Sequence, residues 1–156
     1  IDGRFPDYSK VIPKNNDKIL QIKLEEFKNS IERVTTVSSD RKEGLKMIIS
    51  KDAVQLSVNN PSSGEGIENI NAKFNSDDLS ISFNSRYLTD IASQIENESI
   101  IINLKDAGSP VLINDFSDKN SFHVVMPMKI WFILFKDNNR LFLYFSLSNH
   151  LIPTTI

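Results

Sequence analysis

One strand-like run, one amphipathic helix and three further strand-like runs follow one another in this chain, and then the same order follows again. In the first unit Ile19, Gln21 and Lys23 alternate with Leu20 and Ile22. The pattern then turns to Leu24, Phe27, Ile31 and Val34 at helical spacing, with Glu25, Lys28, Asn29, Glu32 and Arg33 off the stripe. Strands are expected at Leu45–Ser50, Val54–Asn59 and Ile67–Asn75, with Lys51-Asp52 as a tight hairpin and Pro61-Ser62-Ser63-Gly64 as a looser loop. In the second unit Leu79-Ser80-Ile81-Ser82-Phe83 alternates cleanly. Asn84 or Ser85 then caps a helix expected to carry Tyr87, Leu88, Ile91 and Ile95 on one face. Strands follow at Ile100–Leu104, Val111–Asp115 and Phe122–Met126. The expected class is α+β: a pseudo-twofold strand–helix–three-strand repeat with two helices packed on curved antiparallel sheets. Periodicity alone allows several folds of that class.

At 156 residues the chain suits one domain with a real core. Charged residues at 24% and hydrophobic ones at 40% place it among globular proteins. There is no cysteine, which excludes disulfides and thiolate metal sites and is compatible with a reducing cytoplasm. Ile1-Asp2-Gly3-Arg4 does not read as a secretory signal. A formal charge of −2 gives no overall basic signature, so DNA binding here needs local positive charge.

An enzyme needs a constellation of reactive groups, and none is legible. His123 sits beside Val124 in a strand and reads as a partly buried structural residue; His150 lies in the tail. Gly44, Gly64, Gly66 and Gly108 are scattered, as expected of turns, and make no phosphate loop. Asp77-Asp78 and Asp115-Phe116-Ser117-Asp118 fit exposed turns better than a cation site. Serines and threonines lack a nearby base. The expectation is a binding protein without catalysis, metal or cofactor.

Four segments carry a resemblance. They are Arg4-Phe5-Pro6-Asp7-Tyr8 with Lys10-Val11-Ile12-Pro13, then Phe83-Asn84-Ser85-Arg86-Tyr87-Leu88, then Ser109-Pro110-Val111-Leu112-Ile113, and last His123-Val124-Val125-Met126-Pro127-Met128-Lys129-Ile130. In this order and spacing they resemble the bacterial beta sliding clamp, the beta subunit of DNA polymerase III. That family forms a homodimeric ring around duplex DNA and serves as the processivity factor in DNA replication. It is an accessory subunit, although filed with DNA-directed DNA polymerase.

The resemblance implies a sliding-clamp domain and three segments. Residues 1–13 are then the end of a preceding clamp domain and the linker, 14–130 the C-terminal (third) clamp domain, and 131–156 an atypical aromatic tail. It also implies a peptide groove with Pro6, Lys10 and Val11 on one wall. Pro110, Val124, Val125, Met126, Pro127, Met128, Lys129 and Ile130 supply the other. An apolar slot of this kind takes Leu or Phe anchors of short linear motifs, and methionine lets one slot serve several partners. The implied partners are the polymerase alpha subunit, the clamp loader and repair polymerases, in the cytoplasm and away from membranes. Alternation makes one of Val124 and Val125 a core residue, and the run equally suits an edge or core strand.

The family lines its ring with helices, so Lys28, Arg33 and Arg86 are the residues expected to face DNA in a sequence-independent way. Lys28 and Arg33 equally suit a solvated helix face balanced by Glu25 and Glu32. Thr36 and Val37 fall where the dimer contact is expected, Thr36 being less apolar than the family's usual residue. In the tail, Trp131-Phe132-Ile133-Leu134-Phe135 and Leu141-Phe142-Leu143-Tyr144-Phe145 flank a polar turn. Each run is far short of the about 20 residues that span a bilayer. A membrane hairpin, an extra hairpin packed on the domain and read-through sequence remain alternatives for it. For the whole chain, an inactive product of a split or decayed clamp gene and a stand-alone peptide-binding module are the alternatives.

Overall fold

The structure, a computed structural model, describes residues 12–38, 44–116 and 122–128, and the backbone of three strands between 131 and 155. The repeat is realised in full. β1 (Lys18–Lys23) runs without a loop into α1 (Leu24–Thr35), followed by β2 (Gly44–Ser50), β3 (Ala53–Asn60) and β4 (Gly64–Lys73). β5 (Leu79–Asn84) runs directly into α2 (Ser85–Gln94), followed by β6 (Ser99–Leu104), β7 (Val111–Asp115) and β8 (Phe122–Val125). The buried α1 positions Leu24, Phe27, Ile31 and Val34 match Ser85, Leu88, Ala92 and Ile95 in and just after α2, at one constant displacement along the chain.

The first strand of each unit pairs with the second strand of the other. β1 lies against β6 and β5 against β2, all antiparallel, giving one curled sheet in the order β5-β2-β3-β4-β1-β6-β7-β8. The halves join at a short seam where Gln21 and Ile22 pair with Lys73 and Ala72. Alternate strand residues face inward, and Leu20, Ile22, Met47, Ile49, Leu56, Ile81, Phe83, Ile102 and Ile113 form one core with both helices.

Local chemistry sets the ends of the elements. Asn84 Oδ1 accepts from Arg86 N at 3.0 Å and caps α2. At the end of α1, Thr35 Oγ1 donates to the Ile31 carbonyl (2.8 Å) and Thr36 Oγ1 to that of Arg33 (2.7 Å), satisfying last-turn acceptors. Asp52 takes a left-handed φ of 59° in the Lys51-Asp52 hairpin, a conformation Asp tolerates. In the looser loop Asn60 Oδ1 accepts from the backbone of Ser62 and Ser63.

Three expectations need correction. Tyr87 is not on the buried face of α2: it is 58% exposed, and Ser85, Leu88 and Ala92 take that face. β4 begins at Gly64 rather than Ile67 and ends at Lys73. Gly66 is therefore inside a strand, not at a turn, and it lets β4 press against the end of α1. A Cβ there would lie 2.7 Å from the Val34 carbonyl oxygen and 3.0 Å from Val34 Cα.

The tail forms a second antiparallel sheet, in the order β11-β10-β9, from β9 (Trp131–Asp137), β10 (Arg140–Leu147) and β11 (His150–Thr155). Both apolar runs of the tail are strands. Among the described residues no helix is long and apolar enough to cross a membrane.

The close approach at Gly66 has a measurable consequence. Gly66→Ala should cost about 2 kcal/mol and lower the melting temperature by about 8 °C, because backbone must move. Gly44→Ala, whose Cβ would meet Met128 Sδ at an ordinary 3.6 Å, should leave melting unchanged or slightly raised. Calorimetry of the two variants checks this; equal melting of both would contradict the close approach.

Candidate functional site

β8 ends at the segment expected to wall the groove. Val125 is 5% exposed and belongs to the core, whereas Val124 on the opposite face is half-buried, so alternation resolves which valine is which. Beyond the strand, Met126 is 60% exposed while Pro127 is buried and Met128 half-buried. Met128 N donates to the Ser82 carbonyl of β5 at 2.7 Å. Its sulfur packs toward Gly44, whose register partner is Asn84 at the head of α2. The segment thus crosses from the β8 edge to the β5 edge and leaves one methionine in solvent between two buried residues. Tyr87, exposed in the first turn of α2, stands on the helix that starts at that landing point. Its exposure could not be read from spacing, because it sits one position outside the stripe that Leu88, Ile91 and Ile95 define.

Pro110 is fixed from two sides. The turn before it is held by Asp106, whose carboxylate accepts from Gly108 N (2.9 Å), Ser109 N (2.7 Å) and Ser109 Oγ (2.9 Å). These bonds, that from Gly108 first, hold the Asp106 carboxyl below its ordinary range. On the other side Asn16 Nδ2 donates to the carbonyls of Asn103 (2.8 Å) and Pro110 (2.9 Å). The turn signal was legible in the sequence, but the long-range role of Asn16 was not. Pro6, Lys10, Val11, Lys129 and Ile130 lie outside the described residues.

The three expected DNA-facing cations divide. Lys28 and Arg86 line one cleft of about 570 Å³ between α1 and α2, together with Glu32 and Asp90. Two cations and two acids there make a mixed surface rather than a basic track. Arg33 points elsewhere, to β4, where its Nε and Nη2 hold the two carboxylate oxygens of Glu68 at 2.9 and 3.1 Å. Nη2 also donates to Ser30 Oγ at 3.0 Å. The bidentate bond to Arg33 holds the Glu68 carboxyl below its ordinary range and raises the guanidinium.

Thr36 is exposed and Val37 half-buried, just past the end of α1. Beside them, β4 from Gly64 to Asn71 pairs with β3 on one side and, among the described residues, has no strand on the other until the seam at Ala72. Ile67 on this free edge is half exposed. Among the described residues no cluster of three or more His, Cys, Asp or Glu could hold a metal ion.

Glu68 offers a check by titration. Its depressed carboxyl stabilises the fold above the ordinary carboxylate pKa, and that contribution is lost as pH falls through the depressed value. In Arg33→Ala the Glu68 carboxyl should titrate at a higher pH than in the parent, by carboxyl-detected NMR. An unchanged midpoint would mean that the ion pair does not persist in solution.

Comparison with known proteins bears on residues 9–129, which match the family described as DNA polymerase III beta subunit, C-terminal domain. The beta sliding clamp of Caulobacter vibrioides is 33% identical over 130 residues, covering 83% of this chain and 35% of that relative. A crystal structure of a DNA polymerase III subunit beta sliding clamp from Bartonella birtlesii superposes with a TM-score of 0.80 at 40% identity, over 83% of this chain and 37% of the other. The same organism's clamp bound to griselimycin gives a TM-score of 0.78 at 40% identity, over 83% of this chain and 35% of the other. The chain spans about a third of the length of the relatives it matches.

Proposed function

We propose, from the premise that the chain belongs to the DNA polymerase III beta subunit family and matches its C-terminal domain, that it works as the third domain of a sliding clamp and presents a peptide-binding groove. Residues 14–130 are the domain in this reading, and its work is binding rather than bond chemistry. The observation that carries it is Met126. Met126, at 60% exposure between buried Val125 and Pro127, presents an apolar, adaptable side chain to solvent beside half-buried Val124 and Met128, so the exposed methionine is part of a local apolar patch rather than an isolated surface residue. Val124 and Pro110 stand on the same side as candidate walls, with Pro6, Lys10, Val11, Lys129 and Ile130 expected to complete it. A relative bound to griselimycin supports a ligand-binding surface in this family. The occupants proposed for this chain are linear motifs of the polymerase alpha subunit, the clamp loader and repair polymerases.

The free edge of β4, with Thr36, Val37 and Ile67 beside it, is the surface proposed for closing the homodimeric ring. An unpaired strand edge next to partly apolar side chains recruits another strand. Lys28 and Arg86 are proposed to touch duplex DNA through phosphates alone. Their mixed cleft makes that contact weak and salt-sensitive, which suits a ring that slides and is retained by topology. Arg33 contributes only when Glu68 releases it. Replication places this work in the cytoplasm.

The groove is tested by titrating the chain with a labelled peptide carrying leucine and phenylalanine anchors. Met126→Ala should weaken binding at least about tenfold and shift melting by less than about 2 °C, as expected for an exposed anchor contact. Unchanged affinity, or loss of fold instead of affinity, would remove Met126 from the groove.

A further inference from the structure

The outward face of the β6–β8 sheet continues the surface that holds Val124. Leu112 lies directly opposite Val124 on one side and Asn103 on the other, and the next row sets Ile101 beside Asn114 and Asn114 beside Phe122. Directly opposed side chains in such a ladder stand about 5 Å apart, so Val124 and Leu112 form one continuous surface. Over β6 and β7 this face sinks into a hollow of about 480 Å³, walled on one side by the segment from Pro13 to Asn16 and on the other by Phe116.

Its chemistry is mixed in a particular way. Ile101 and Leu112 are half-buried, and Phe116 is 58% exposed. Between them stand amides, with Asn103 Nδ2 donating to Asn114 Oδ1 at 3.0 Å. That bond uses the nitrogen of one amide and the oxygen of the other; among the described residues the Asn103 oxygen and the Asn114 nitrogen have no side-chain partner and can face a ligand. Asn16 ties the hollow to Pro110, since one amide bonds both Pro110 and β6. The hollow and the proposed groove therefore share a wall and a sheet face.

We infer that the hollow is an auxiliary subsite for the residues flanking a groove-bound peptide, taking one apolar side chain on Ile101, Leu112 and Phe116 and one amide on the Asn103–Asn114 pair. The inference rests on the groove reading for its occupant. A flank reaching from Val124 across β7 to β6 crosses two strand spacings, about 10 Å, which three extended residues span. Motifs with the same anchors but different flanks would then differ in affinity on this domain.

The experiment compares the labelled anchor peptide with two longer versions, carrying Leu-Asn-Leu at one end or at the other, on the full chain and on Phe116→Ser and Ile101→Thr. Phe116→Ser changes an exposed residue and keeps the fold; Ile101→Thr keeps a β-branched side chain, and circular dichroism checks both. One longer peptide should bind the parent about tenfold tighter than the short one, and both variants should erase that gain while binding the short peptide normally. No gain in the parent, or a gain that survives in both variants, overturns the subsite. Binding by a longer peptide alone, sensitive to Phe116→Ser, would uphold the subsite and sink the groove. No binding by any peptide to folded protein would sink both.

Discussion

Every feature of this domain depends on an exchange of strands between its two halves. β1 belongs in sequence to the first unit but pairs with β6 of the second, and β5 makes the reciprocal move onto β2. Each helix follows its exchanged strand without a loop, so strand pairing fixes where the helix lies. α1 rests on β1, β3 and β4 and α2 on β5, and the two helices meet each other, so the exchanged strands set how the helices come together. Where the first unit ends, β4 reaches β1 at the Ala72–Lys73 seam; where the second ends, Met128 reaches β5 at Ser82. The second contact is the twofold counterpart of the first, and it is what turns the chain after β8 into a surface.

That origin explains the character of the candidate groove. Residues on a closing seam are held by backbone hydrogen bonds and by a buried proline, so the side chains between them are free to serve a ligand. Met128 anchors the seam and Met126 projects from it. Arg33, by contrast, is tied by a bidentate bond to Glu68, and the helix cleft balances Lys28 and Arg86 with Glu32 and Asp90. Among the described residues the candidate groove is made of soft apolar groups at the sheet edge, while the helix cleft carries charges of both signs.

Much of this was legible in the residues. Alternation in Leu79-Ser80-Ile81-Ser82-Phe83 and the stripe Leu24, Phe27, Ile31, Val34 report burial of one face, and burial of one face is what periodicity measures. The split between Val124 and Val125 follows from the same rule once the strand is placed. Periodicity does not report which strands meet, so the exchange, the Asn16 bridge to Pro110 and the pairing of Arg33 with Glu68 were not visible: each joins residues far apart in sequence. Tyr87 reads as core in the sequence because an aromatic one step off a stripe resembles a core residue. Gly66 reads as a turn residue because a glycine inside a strand, serving close approach to α1, carries the same letter as a turn glycine.

Methionine methyl resonances test the central claim most directly, since the chain has three: Met47 in the core, and Met126 and Met128 on the seam. Adding griselimycin, to which the Bartonella birtlesii clamp is bound, should move the Met126 and Met128 signals and leave Met47 in place. Signals that all stay fixed at saturating compound, or a shift confined to Met47, would contradict a groove built on the seam.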